Sequence, residues 1–198
     1  MTKYEEKVID YLREKSIAQT KDLKKLGLSS TQIQNMVNKN LMKRVRRGLY
    51  SLPNSIDDPY YELQLKYTKL IFSHETALSL HNMTDVTPST ISGTVPRDYN
   101  YQHIVNKEGI NVVRVNKERY DLGIEQIMSP FGNKVTVTNR ERTLCDVLLK
   151  RNHVDTRILN EAFKNYFSSS KKNLNTLMKY AKVFKVDKLV RTYMEVLL

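Results

Sequence analysis

The sequence predicts an α+β fold, an N-terminal winged helix-turn-helix followed by an α/β domain ending in a helical bundle. Three observations predict it. Apolar residues near the N-terminus recur at helical spacing, with a glycine and a serine pair between two such stretches. β-Branched runs separated by turn residues fill the middle of the chain, and helical periodicity returns from Asn139 onward.

Tyr4, Val8, Ile9 and Leu12 place an amphipathic helix over residues 3–15. Thr20 can cap a second helix carrying Leu23 and Leu26, which ends at Gly27, a residue suited to the left-handed conformation of a helix C-terminus. Ser29 and Ser30 offer side-chain oxygens to cap the next helix, in which Ile33, Met36, Val37 and Leu41 form one apolar face. Arg44, Arg46 and Arg47 lie around Gly48, where two short strands and a tight turn would make a wing. Residues 53–59 hold two prolines, an asparagine and a serine and break the pattern. They set the expected domains at residues 1–53 and 54–198. Helices are expected over residues 58–71 and 74–82, then strands at 89–95, 102–105, 111–115 and 134–138. Four apolar stripes close the chain, beginning at Leu144, Ile158, Leu174 and Leu189.

The face of the third helix opposite its apolar stripe carries Thr31, Gln32, Gln34, Asn35 and Asn38, with Lys39 at its end. A carboxamide donates to and accepts from a base edge at once, adenine above all, which suits this surface to the major groove of DNA. Thr31, Gln34, Asn35 and Asn38 are therefore expected to read bases with Gln32 beside them. Ser30, Lys39, Arg44, Arg46 and Arg47 are expected to hold the phosphate backbone or reach the minor groove.

The charge distribution points the same way. The net charge is +12 and the pI about 9.6. Residues 1–53 carry twelve Lys/Arg against five Asp/Glu, residues 54–138 eight against ten, and residues 139–198 thirteen against six. Two basic ends thus flank a mildly acidic middle. In the last segment Lys164, Lys171, Lys172, Lys179, Lys182, Lys185, Lys188 and Arg191 form either a solvated face or a second polyanion surface, for flanking DNA or for RNA.

Other chemistries find little support. Cys145 is the single cysteine, which excludes an internal disulfide and fits a reducing compartment. His74, Glu75 and His81 invite a metal reading, but the second histidine of a zinc-protease motif belongs at position 78, which is Leu. Packing or capping is the expected role of those residues, with no metal and no cofactor. No phosphate-binding glycine loop or nucleophile signature occurs, so no catalytic residue is assigned. No apolar run long enough to span a membrane is present, so the chain reads as cytoplasmic.

Four blocks in order resemble the AbiEi antitoxin family. They are the helix-turn-helix running into residues 46–53 (RRGLYSLP), residues 72–81 (FSHETALSLH), residues 88–96 (PSTISGTVP) and residues 140–148 (RERTLCDVL). The resemblance implies a two-domain repressor of its own operon, bound to promoter DNA at repeated half-sites. It also implies a C-terminal domain that counters a nucleotidyltransferase-like toxin of a type IV toxin–antitoxin, phage-abortive-infection system, with no stable complex required. Two rival readings rest on the residues alone. One is a winged-helix protein with a nuclease or nucleotide-modifying C-terminal domain, marked by converging carboxylates; the other is a ligand-sensing repressor, marked by a large apolar cavity.

Overall fold

The computed structural model describes residues 2–197. The fold is α+β, with 52% of residues helical and 16% in strands. The chain divides into two compact units, the first made of Met1–Lys66 with Met128–Asn133, the second of Tyr67–Ile127 with Lys134–Leu198.

The first unit opens with α1 (Lys3–Lys15), where Thr2 and Glu5 cap one another's backbone N–H groups. β1 (Ile17–Gln19), α2 (Thr20–Lys25) and α3 (Ser30–Asn38) follow, then β2 (Lys43–Arg46), β3 (Leu49–Ser51) and α4 (Pro59–Lys66). β3 lies between β1 and β2 and pairs antiparallel with both. Val8 and Leu12 of α1, Ala18, Leu23, Ile33, Met36 and Met42 make a shared core, nearly all of it sealed from solvent. That core fixes which face of α3 turns outward. α4 starts on Asp58, whose Oδ1 accepts the N–H groups of Tyr60 and Tyr61. The other carboxylate oxygen accepts Ser129 Oγ and Asn133 Nδ2 from the loop Met128–Asn133.

The second unit is built on a five-stranded mixed sheet in the order β6-β5-β4-β8-β7. Its strands are β4 (Ile71–Phe72), β5 (Ser92–Pro96), β6 (Asn111–Val115), β7 (Ile124–Met128) and β8 (Lys134–Thr138). β4 runs antiparallel to β5 and parallel to β8, while β5 and β6 are parallel, with Val95 opposite Arg114. Helices α5 (His74–Leu80), α6 (Gln102–Glu108) and α7 (Lys117–Tyr120) connect the strands. α8 (Arg140–Leu149), α9 (Thr156–Ser168), α10 (Leu174–Phe184) and α11 (Asp187–Leu197) form the helical end around Leu144, Phe163, Leu177, Phe184 and Val190.

Some local expectations fail; Thr20, for one, is the first residue of α2, and Gln19 caps it. Residues 102–105 are not a strand but the start of α6. Only Ile104 is buried there, and Gly109, at φ 64, receives the chain as the left-handed C-terminal residue of a helix. The helix expected over residues 58–71 stops at Lys66, because Ile71 and Phe72 leave it to form β4.

The blocks at residues 72–81 and 140–148 are framework. Arg142 is 1% exposed and pairs with Asp146 at 2.9 Å. Its Nη1 donates to the carbonyls of Leu122 and Arg119, and its guanidinium lies 4.5 Å from the Phe184 ring centre. Ser73 Oγ lies 2.8 Å from both Thr94 Oγ1 and His74 Nδ1, and His81 Nε2 donates to the Thr138 carbonyl at 2.7 Å. Such buried hydrogen-bonded networks hold helix and sheet in one arrangement, since breaking any member leaves a polar group dry.

Candidate nucleic-acid interface

Ser29, not Ser30, caps α3. The Gln32 N–H donates to Ser29 Oγ at 3.2 Å while the Ser29 N–H donates to Gln32 Oε1 at 2.8 Å. Ser30 is thereby released as an exposed hydroxyl, whereas the carbonyl oxygen of Gln32 is engaged in holding the helix start. The first turn of α3 contains no acidic residue, unlike those of α1 and α2. No carboxylate of that turn therefore competes with an anion for the helix N-terminus.

Ile33 and Met36 bury the inner face, so Thr31, Gln34, Asn35 and Asn38 are all exposed on the outer one. Gln34 Nε2 donates to Asn38 Oδ1 at 3.0 Å, one turn along. This bond leaves the Gln34 carbonyl as an acceptor and the Asn38 amide as a donor. Asn35 lies beside a cavity of about 180 Å³ with Gln32, Met36 and Lys39, which also touches Thr2, Tyr4 and Glu5 of the α1 end.

Lys39 closes α3 and its Nζ sits 3.0 Å from Glu5 Oε1. The Thr2 N–H, and then the Lys39 ammonium, hold the Glu5 carboxyl below its ordinary range. The sequence offered Lys39 as a backbone contact; the fold gives it an acidic neighbour from another helix.

The three arginines occupy different environments. Arg44 lies opposite Tyr50 and Arg46 opposite Leu49, with a register shift between them that alters the strand's regular alternation. Arg47 and Gly48 form the turn between β2 and β3. Gly48 adopts φ 81, a conformation that costs a residue with a Cβ far more, and its carbonyl accepts the Thr20 N–H at 2.9 Å. Arg44 and Arg47 are exposed. Arg46 is turned back, its Nε donating to Glu62 Oε2 at 2.7 Å on α4.

Residues 6–53 match the family model described as transcriptional regulator, AbiEi antitoxin. Over those residues the chain is similar to regulators of that family. The match covers nearly all of α1 through β3, and so includes every residue of the α3 face and the three arginines. No curated protein matches the chain. Beyond the AbiEi-type segment, Lys164, Lys171, Lys179, Lys182, Lys185, Lys188 and Arg191 are exposed on α9, α10, α11 and their connections. Lys172 is half-buried, with its Nζ 3.5 Å from the Ser169 carbonyl. Lys179 and Lys182 are three apart on α10 and Lys185 follows its end, so they lie along one side of that helix.

The histidines lie in the core of the second unit. Burial lowers the pKa of both His74 and His81, and raises that of the Cys145 thiol. Among the described residues, no group of three or more His, Cys, Asp or Glu is arranged to hold a metal ion, and no helix is long and apolar enough to cross a membrane.

Proposed function

We propose that the protein is a cytoplasmic autorepressor and antitoxin of a type IV toxin–antitoxin system. The observation that carries the reading is an exposed hydroxyl and amide face on α3, next to exposed Arg44 and Arg47, inside the segment that matches AbiEi regulators. α3 is laid in the major groove with Thr31, Gln34, Asn35 and Asn38 toward base edges. Ser30 and the α3 N-terminus meet a phosphate, and the β2–β3 hairpin serves as a wing whose Arg44 and Arg47 reach the adjacent backbone. Gln32 and Lys39 support the helix from its two ends. The operator is the protein's own promoter, at repeated half-sites. Residues 54–198 form the antitoxin domain, which counters a nucleotidyltransferase-like toxin without a stable complex. The reading assigns no catalytic step.

Binding of the full chain to duplex from its own upstream region, against scrambled duplex, tests the first half. Asn35→Ala and Gln34→Ala should each reduce the preference for the operator by about 1–3 kcal/mol, with smaller losses on scrambled DNA. Equal losses on both duplexes would remove base reading from these residues. The second half is tested by co-expression with the neighbouring toxin gene. A chain carrying Asn35→Ala and Arg47→Ala should lose repression and still protect the cell; loss of protection in this folded variant would overturn the division of labour.

A further inference from the structure

Four cations of the second unit converge on one cleft with no carboxylate in its lining. Arg97, Arg114, Arg119 and Lys150 border an open cavity of about 640 Å³ that runs along β6 from Val112 to Asn116. They come from four separate places in the chain, after β5, within β6, within α7 and after α8, and the fold alone brings them together. Their surroundings in sequence conceal them, since three of the four fall in the segment where acidic residues outnumber basic ones.

Two of the arginines are restrained by contacts that do not neutralise them. The Arg114 guanidinium lies 4.9 Å from the Tyr101 ring centre, and that of Arg119 lies 4.7 Å from the Phe184 ring centre. Arg119 Nη2 also reaches the Val183 carbonyl at 3.4 Å. Rings and carbonyls orient a guanidinium and leave its charge intact. Like charges gathered around one cavity repel, and an anion in the cavity relieves that repulsion. The location also suits a ligand. β5 and β6 are parallel, Arg97 directly follows the carboxyl end of β5, and Asn116 directly follows that of β6. Carboxyl ends of parallel strands are where α/β sheets place their ligands.

We propose that this cleft binds the phosphate chain of a nucleotide, either as a free nucleoside polyphosphate or as part of a single nucleic-acid strand. Guanidinium forks match phosphate oxygens in bidentate geometry, and Lys150 adds a point charge beside them. The cavity exceeds what a lone ion fills and falls in the range of small-ligand sites, roughly 300–1,000 Å³. The proposal does not depend on DNA binding by α3, which lies in the other unit.

Calorimetric titration of the full chain with inorganic pyrophosphate, with ATP and with a short oligothymidylate tests it. A doubly substituted chain, Arg97→Gln with Arg114→Gln, provides the comparison. Both positions are exposed, and circular dichroism verifies the fold. Pyrophosphate and ATP should compete with one another, and the double variant should weaken both at least tenfold while Asn35→Ala leaves them unchanged. Tenfold weakening for the oligonucleotide, with no binding of ATP or pyrophosphate, would assign the site to a nucleic-acid strand. The proposal is overturned if no probe binds, or if the double variant binds every probe as the parent does. It is also overturned if polyglutamate binds as tightly as the phosphates and shows the same loss, because the cleft would then be a surface for acidic protein segments.

Discussion

Arg46 Nε donates to Glu62 Oε2 at 2.7 Å, joining the strand before the hairpin turn to α4, and the Glu62 side chain is only 4% exposed. This pairing separates Arg46 from Arg44 and Arg47, its two exposed neighbours in the basic run. Removing Arg46 strands a buried carboxylate, whereas removing Arg47 takes away an exposed charge. Arg46→Ala should cost about 1–3 kcal/mol of stability, read by denaturant unfolding. Arg47→Ala should leave the midpoint unchanged and weaken DNA binding on all sequences alike. A stable Arg46→Ala chain with reduced DNA affinity would instead place Arg46 at the phosphate backbone.

The reciprocal cap at the start of α3 gives a second contrast. Ser29→Ala removes the acceptor of the Gln32 N–H and should lower stability by about 1 kcal/mol. Ser30→Ala, with an exposed side chain that takes no part in the cap, should be thermally neutral. If Ser30→Ala weakens binding to every duplex while leaving the melting temperature in place, its hydroxyl is a phosphate contact.

The lysines along α10 are tested by salt. Each phosphate neutralised steepens the slope of log affinity against log salt by roughly 0.9 on duplex DNA. Replacing Lys179, Lys182 and Lys185 with Gln should flatten that slope and weaken operator and random DNA equally, if this side of α10 lies against the backbone. An unchanged slope in the folded variant means that these lysines face only solvent.

His74 and His81 make stability depend on pH. Burial holds both imidazoles below their ordinary value of 6.5, so the unfolded chain takes up their protons first as the solution is acidified. Their contribution is fully present above about pH 6.5 and is lost as pH falls below it, by up to ~1.4 kcal/mol per pH unit for each histidine. Unfolding of the parent followed from pH 7.5 to 5.5 should show this decline. Because His81 also donates to the Thr138 carbonyl, His81→Gln, which can keep that hydrogen bond, should lessen the slope. A slope identical to the parent's would remove His81 from the effect.

The parts of the molecule legible in the sequence are those written in local spacing. Ile33 and Met36 sit three apart on α3 and are buried together, which is why the outward face could be read residue by residue. Lys39 and Arg46 were legible as charges and not as partners. Glu5 lies 34 positions from Lys39 and Glu62 lies 16 from Arg46, and no local pattern encodes either meeting. β4 is two residues long, too short for an alternation to register, yet it occupies the centre of the sheet. At residues 102–105 the adjacent Ile104 and Val105 suggested a strand, while the decisive signal was the left-handed Gly109 beyond them. Arg97, Arg114, Arg119 and Lys150 were invisible as a group, because only the parallel pairing of β5 with β6 and the end of α8 bring them together.

β6 is hydrogen-bonded to β5 on one side and stands at the margin of its sheet. Its outer row of backbone N–H and C=O groups is a template onto which any extended chain could add, including the β6 of a second molecule. Arg114 is exposed on β6 itself, and Arg97 and Arg119 line the cleft that runs along that strand, so two such margins would approach with like charges nearby. Like charge beside an open strand edge disfavours edge-to-edge pairing, and a chain stripped of these arginines would be expected to lose colloidal solubility before it loses its fold.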